Sequence, residues 1–92
     1  MSYQILISTT FQKQLEKLDD QLKKRVKDSL EELEEDPYEP RSGADIKKLS
    51  GTDPTKYRLR IGDYRVIYTV DESDKAVKVI EGLKRGKGYR KY

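Results

Sequence analysis

Residues 56–70 constrain the fold more than any other stretch of this 92-residue chain. Tyr57, Leu59 and Ile61 alternate with Lys56, Arg58 and Arg60, the period of two that marks a half-buried strand. Gly62-Asp63 follows, a two-residue hairpin signal with glycine first, as a type II′ turn prefers. Tyr64 to Val70 then reads as the return strand. So short a turn sets the register by geometry: Ile61 lies opposite Tyr64, Arg60 opposite Arg65, Leu59 opposite Val66 and Arg58 opposite Ile67. Helices laid on one face would bury Leu59, Ile61, Tyr64, Val66 and Tyr68, and Arg58, Arg60 and Arg65 fall on the other.

The flanking sequence supplies those helices. Tyr3 to Ile7 is apolar and β-prone enough for a first strand, and Ser8, Thr9 and Thr10 offer N-caps to a helix carrying Phe11, Leu15 and Leu18 on one face. Asp19 and Asp20 can cap a second helix, whose Leu22, Val26, Leu30 and Leu33 again recur at helical spacing. Pro37 and Pro40 end it, and 37–45 reads as loop. Ile46 to Leu49 is a short strand before the Gly51–Pro54 turn, and Ala76 to Leu83 is the last strand. The expected fold is α+β: an N-terminal strand, then an αα-hairpin packed on one face of a three- to four-stranded antiparallel sheet. Length supports one domain over residues 1–92, with 84–92 as a basic C-terminal tail.

Composition narrows the chemistry. The chain has no His and no Cys, which removes Ser-His and Cys-His pairs, thiolate nucleophiles, disulfides and zinc-finger sites. No apolar run is long enough to span a membrane or act as a signal peptide, so the cytoplasm is the expected location. The net charge of +3 hides an asymmetry: residues 1–40 hold six basic and ten acidic side chains, and residues 41–92 hold fourteen basic and seven acidic. From Lys84 to Tyr92 there are five basic groups and no acid. That distribution suits a polyanionic partner for the C-terminal half.

Like charges directly opposite one another destabilise a sheet, so three arginines on one open face suggest a site for an anion. Arginine suits phosphate because its planar fork donates bidentately and stays charged. Arg85 can join the three just after the last strand, with Lys84 and Lys87 beside it, and Tyr89 and Tyr92 could stack on an unpaired base. The plainer alternative is a solvated sheet face whose arginines pair with Asp63 and Asp71. The acidic run Glu31, Glu32, Glu34, Glu35 and Asp36 reads as a solvated helix face rather than a metal site, and no metal or small-molecule cofactor is expected. Gly86-Lys87-Gly88 lacks the following helix of a phosphate loop.

Gly62-Asp63-Tyr64-Arg65-Val66-Ile67-Tyr68, preceded by Lys48-Leu49-Ser50-Gly51 and Tyr57-Arg58-Leu59-Arg60, resembles the RelE/ParE superfamily of toxin–antitoxin toxins, especially the archaeal RelE type. The resemblance covers nearly the whole chain, including the Glu-Asp-Pro ending of the helical hairpin and Leu83-Lys84-Arg85-Gly86-Lys87. It implies a metal-independent, ribosome-dependent endoribonuclease that cuts mRNA in the A site by attack of a ribose 2′-hydroxyl on the adjacent phosphate. It also implies a RelB-type antitoxin as partner. Carried over by position, Arg65, Arg85 and Tyr89 are the expected catalytic residues, and Arg58, Arg60, Lys84 and Lys87 the expected phosphate-binding ones. Bacterial members carry lysine where this chain has Arg58 and Arg60, and arginine does not lose its proton, so the group that takes the 2′-hydroxyl proton stays open. The alternatives are a ParE-like toxin that inhibits a topoisomerase without cutting, and a small RNA-binding domain without catalysis.

Overall fold

The computed structural model describes residues 2–85, so Lys87 and Tyr89 lie outside the described residues. In chain order the elements are β1 (Gln4–Ile7), α1 (Thr9–Glu16), α2 (Asp20–Glu35), β2 (Asp45–Leu49), β3 (Lys56–Ile61), β4 (Tyr64–Asp71) and β5 (Ala76–Lys84). The strands form one sheet in the order β1-β5-β4-β3-β2, and both helices cover the same face. The sequence predicts an N-terminal strand and a three- to four-stranded antiparallel sheet; the sheet has five strands because the N-terminal strand joins it. The N-terminal strand pairs parallel with β5, Gln4 opposite Ala76 and Ile7 opposite Val79. A parallel partner must be reached by a long crossover, so a local pattern cannot reveal this pairing.

Caps define both helices. The Ser8 hydroxyl accepts the N–H of Phe11 at 3.0 Å, and the Asp19 carboxylate accepts the N–H of Leu22 at 2.8 Å. With eight residues α1 is too short to persist alone, so its docking on β5 is what holds it. α2 has no basic residue in its last turn. Arg41 takes that part from the following loop, donating to the carbonyl oxygens of Glu32 at 2.6 Å and Asp36 at 3.1 Å.

Phe11, Val26, Leu33, Leu59, Val66, Tyr68 and Val77 are fully buried between the helices and the sheet. The β3–β4 register is the one dictated by a two-residue turn, from Ile61 opposite Tyr64 to Arg58 opposite Ile67. Gly62 has φ +60, as the first position of a type II′ turn demands.

The β4–β5 ladder breaks register once. Tyr68 lies opposite Val79 and Ile67 opposite Glu81, which leaves Ile80 as the extra residue of a β-bulge. Ser8 pins that bulge: its hydroxyl donates to the Ile80 carbonyl at 2.5 Å, and its N–H donates to the Val79 carbonyl at 3.0 Å. The bulge reverses the alternation. Val77 and Val79 face the core, so an unbroken strand would have turned residue 81 inward. Instead Gly82 lies opposite core-facing Val66, and Glu81 faces outward.

Candidate nucleic-acid interface

The outer sheet face carries two rows of side chains. Lys47, Arg58, Ile67 and Glu81 form one row across β2–β5, and Asp45, Arg60, Arg65 and Leu83 form the next. Four cations and two acids thus occupy eight neighbouring positions, with Ile67 as an apolar floor only 1% exposed.

The turn at 62–63 organises the cations. Its Gly62 carbonyl accepts from Arg60 Nε at 3.3 Å and from Arg65 Nη1 at 3.1 Å. One partial negative charge between two guanidiniums reduces the repulsion of their directly opposed positions. The backbone N–H of Arg85 donates to the Asp63 carbonyl at 2.9 Å, which fastens the residue after β5 to the same turn. Arg58 Nη2 lies 3.6 Å from the Asp45 carboxylate, and its Nε is buried without a hydrogen-bond partner among the described residues.

The predicted site residues divide in three groups. Arg58, Arg60 and Arg65 share the outer face. Their exposure differs, because Arg60 is exposed, Arg58 is half-buried and Arg65 is only 6% exposed, its guanidinium held into the turn rather than free in solvent. Arg85 sits at the sheet end, lining a groove of about 580 Å³ with Arg25, Asp63, Tyr64 and Lys84. Lys84 does not join the arginine face. It lies opposite core-facing Tyr64 and lines grooves on the helix side with Gln14, Lys17 and Arg25.

The expected ion-pair partners also differ. Asp71 pairs with Lys78 at 3.3 Å, and the acid that meets Arg58 is Asp45. The lone acid of β2 was the available signal for Asp45, but its register depends on the 50–55 loop, where Thr52 Oγ1 accepts the N–H of Lys56 at 2.9 Å. Lys47 enters the face by that same register. Glu81 was missed because simple alternation turns it toward the core.

Chemically, fixed guanidiniums over a shallow apolar floor can grip phosphate oxygens and leave a sugar and base resting on the sheet. No helix among the described residues is long and apolar enough to cross a membrane.

Known proteins share this fold. The family model described as the ParE toxin of the type II toxin–antitoxin system parDE matches residues 5–89. The chain is 34% identical over 88 residues to the toxin RelE1 of Methanocaldococcus jannaschii, spanning 96% of this chain and 94% of that protein. The archaeal RelE–RelB complex of Pyrococcus horikoshii matches with TM-score 0.80 and 38% identity, covering 94% of this chain and 98% of that one. The RelB–RelE complex of Methanococcus jannaschii matches with TM-score 0.73 and 28% identity, covering 95% and 98%. With its sheet register, its helical hairpin and its arginine face, this chain belongs to the RelE/ParE family of toxins of type II toxin–antitoxin systems.

Proposed function

We propose that the chain is a RelE-type endoribonuclease that enters the ribosomal A site and cuts the mRNA there. The observation that carries this reading is the gathering of Arg58, Arg60 and Arg65 on one sheet face, the last two drawn together by the Gly62 carbonyl. A toxin that acts by blocking a protein surface needs no such phosphate cluster. In the reaction, the substrate's own 2′-hydroxyl attacks the adjacent phosphate and leaves a 2′,3′-cyclic phosphate and a 5′-hydroxyl. Because the substrate brings the nucleophile, the protein's task is positioning and charge stabilisation.

Arg65, anchored through Nη1, and Arg85, fastened by its backbone to the same turn, stabilise the charge that builds on the scissile phosphate. Arg58 and Arg60 hold the flanking phosphates. Lys84 contributes long-range attraction from the sheet rim. Lys87 extends the basic segment, and Tyr89 stacks on the substrate base. The cognate partner is a RelB-type antitoxin that covers the basic surface, in keeping with the RelB complexes formed by both archaeal relatives. The setting is the cytoplasm, where ribosomes and mRNA are found.

The description of the matching family model favours one second reading, a ParE-like toxin that inhibits a topoisomerase. A translating extract separates the two. Primer extension should reveal codon-phased mRNA ends that vanish with Arg65→Ala and with Arg85→Ala. Intact mRNA together with blocked DNA supercoiling would establish the ParE-like activity instead. Efficient cutting of naked RNA would remove the A-site mechanism.

A further inference from the structure

We propose that Glu81 is the general base of the cleavage, an inference that rests on the nuclease reading above. The chain lacks histidine, and the arginines that hold the phosphate cannot accept a proton. The attacking 2′-hydroxyl needs an acceptor close to them. Three carboxylates lie on the outer face among the described residues. Asp45 sits on edge strand β2 and pairs with Arg58 at 3.6 Å. Asp71 ends β4 and pairs with Lys78 at 3.3 Å. By position Glu81 is the nearest of the three to Arg65, since β5 adjoins β4, whereas Asp45 is two strands away and Asp71 ends β4 beyond Thr69.

The bulge puts it there. Were Ile80 paired in an unbroken ladder, Glu81 would point with Val79 into an apolar core, and Gly82 would face out. Bulges occur preferentially beside active sites, where they re-aim a side chain. This one is held by two hydrogen bonds from Ser8. Since Leu83 lies opposite Arg65, Glu81 is the diagonal neighbour of Arg65 on the same face, a separation of roughly 7–8 Å that long side chains bridge. Its own row adds Ile67, Arg58 and Lys47. Arg60 and Asp45 belong to the next row, Arg85 follows at the end of its strand, and Lys78 with Asp71 stand on its other side. A phosphate on Arg65 therefore brings its neighbouring ribose over Ile67, within reach of the Glu81 carboxylate.

The step balances with water as co-reactant. The 2′-O–H proton passes to a Glu81 carboxylate oxygen while the 2′-oxygen forms its bond to phosphorus. The bond from phosphorus to the 5′-oxygen breaks, and water protonates that oxygen. Glu81 returns its proton to the hydroxide so formed, which regenerates the carboxylate.

A purely structural Glu81 would only balance the charge of its cationic neighbours. Single-turnover cleavage of mRNA on programmed ribosomes separates these roles, with wild type, Glu81→Gln and Glu81→Asp followed from about pH 5 to about pH 9. Glu81→Gln should lose about 100- to 10,000-fold in rate, with ribosome binding and thermal unfolding little changed. The wild-type rate should fall as pH drops through the carboxylate's titration, and that acid limb should be missing from Glu81→Gln. Glu81→Asp should keep the limb and lose about 10- to 100-fold in rate. A Glu81→Gln rate within about tenfold of wild type, with the limb intact, would overturn the assignment and leave the nuclease reading standing. Should Glu81→Gln fail to fold, a folded Glu81→Asp with the full wild-type rate would overturn it equally. Wild-type protein that binds programmed ribosomes and cuts nothing overturns the nuclease reading itself.

Discussion

Tyr64 lies so close over Gly82 that a Cβ on the glycine would fall 1.9 Å from the phenol oxygen and 2.4 Å from the ring carbon that bears it. No rotamer change at a methyl relieves such an overlap, so the strand or the ring must move. Gly82→Ala should therefore lower stability by about 1–3 kcal/mol, read as a shifted urea midpoint with the slope retained. The Tyr64 hydroxyl is itself buried without a hydrogen-bond partner among the described residues. Tyr64→Phe removes that oxygen and leaves nothing newly unpaired, so the same measurement should be neutral or gain up to about 1 kcal/mol. Arg65 calls for the opposite expectation. Arg65→Ala should leave the fold standing and cost about 100- to 1,000-fold in cleavage rate, the scale of losing one fixed donor to a developing charge. Arg65→Lys should recover little of this, since an ammonium cannot replace a planar fork that meets the turn carbonyl through Nη1 and keeps further donors in a fixed plane.

At the scale of elements, the β3–β4 hairpin was fully legible because alternation and a two-residue turn leave a single register. Both helices were legible too, from their caps and their apolar spacing, with Asp19 rather than Asp20 as the cap of α2. Leu18 reads as helical from its spacing but falls just past the end of α1, still in the core. The β5 bulge was not legible, since an apolar alternation through Val77, Val79 and Leu83 conceals the break that the charge of Glu81 between them requires. What breaks it is the tertiary contact with Ser8, invisible in a local pattern. Hence Arg58, Arg60 and Arg65 were placed correctly on one face, while the acids that accompany them were not. Arg41 is a second device of this kind. It closes the C-terminal end of α2 from a loop, through two backbone carbonyls of the helix end, the Glu39 carbonyl and the Glu32 carboxylate. Arg41→Ala should destabilise the protein by about 2 kcal/mol in denaturant unfolding. Amide exchange should rise first around 32–40, ahead of the sheet.

Over the whole molecule, charge sorts by layer as the halves of the sequence suggested, with acids concentrated in the helical part and arginines on the outer sheet face. RNA binding should consequently weaken steeply with salt, by a slope of roughly 0.7 per phosphate contacted, and the slope should flatten when Arg58 or Arg60 becomes Ala. Acid acts on the other side of the molecule. The Lys75 ammonium at 2.8 Å, with the Tyr38 and Tyr3 hydroxyls, holds the Glu72 carboxyl down to about 2 from its ordinary 4.5. Backbone N–H groups of Tyr38 and Glu39 lower Asp36, and that of Asp74 together with Lys78 lowers Asp71. Carboxyls depressed by folding contribute stability above their unfolded range and lose it as pH falls through their folded values. The melting temperature should thus hold at neutral pH and decline from about pH 4.5 toward pH 2, and Glu72→Gln should shrink the decline.

That acid anchors a chain of rings. Tyr3 and Tyr38 meet edge to face at 6.4 Å, Tyr38 and Tyr57 at 5.6 Å, and Tyr57 stacks on Tyr68 at 5.5 Å. Tyr68 in turn donates to the Pro37 carbonyl at 2.7 Å. With no tryptophan in the sequence, these coupled phenols give the molecule a near-ultraviolet optical signature of its own. The rings belong to the helix-covered side of the sheet, away from the arginine face, so in the free protein their part of that signature should survive substitutions on the arginine face and collapse only when the layers part.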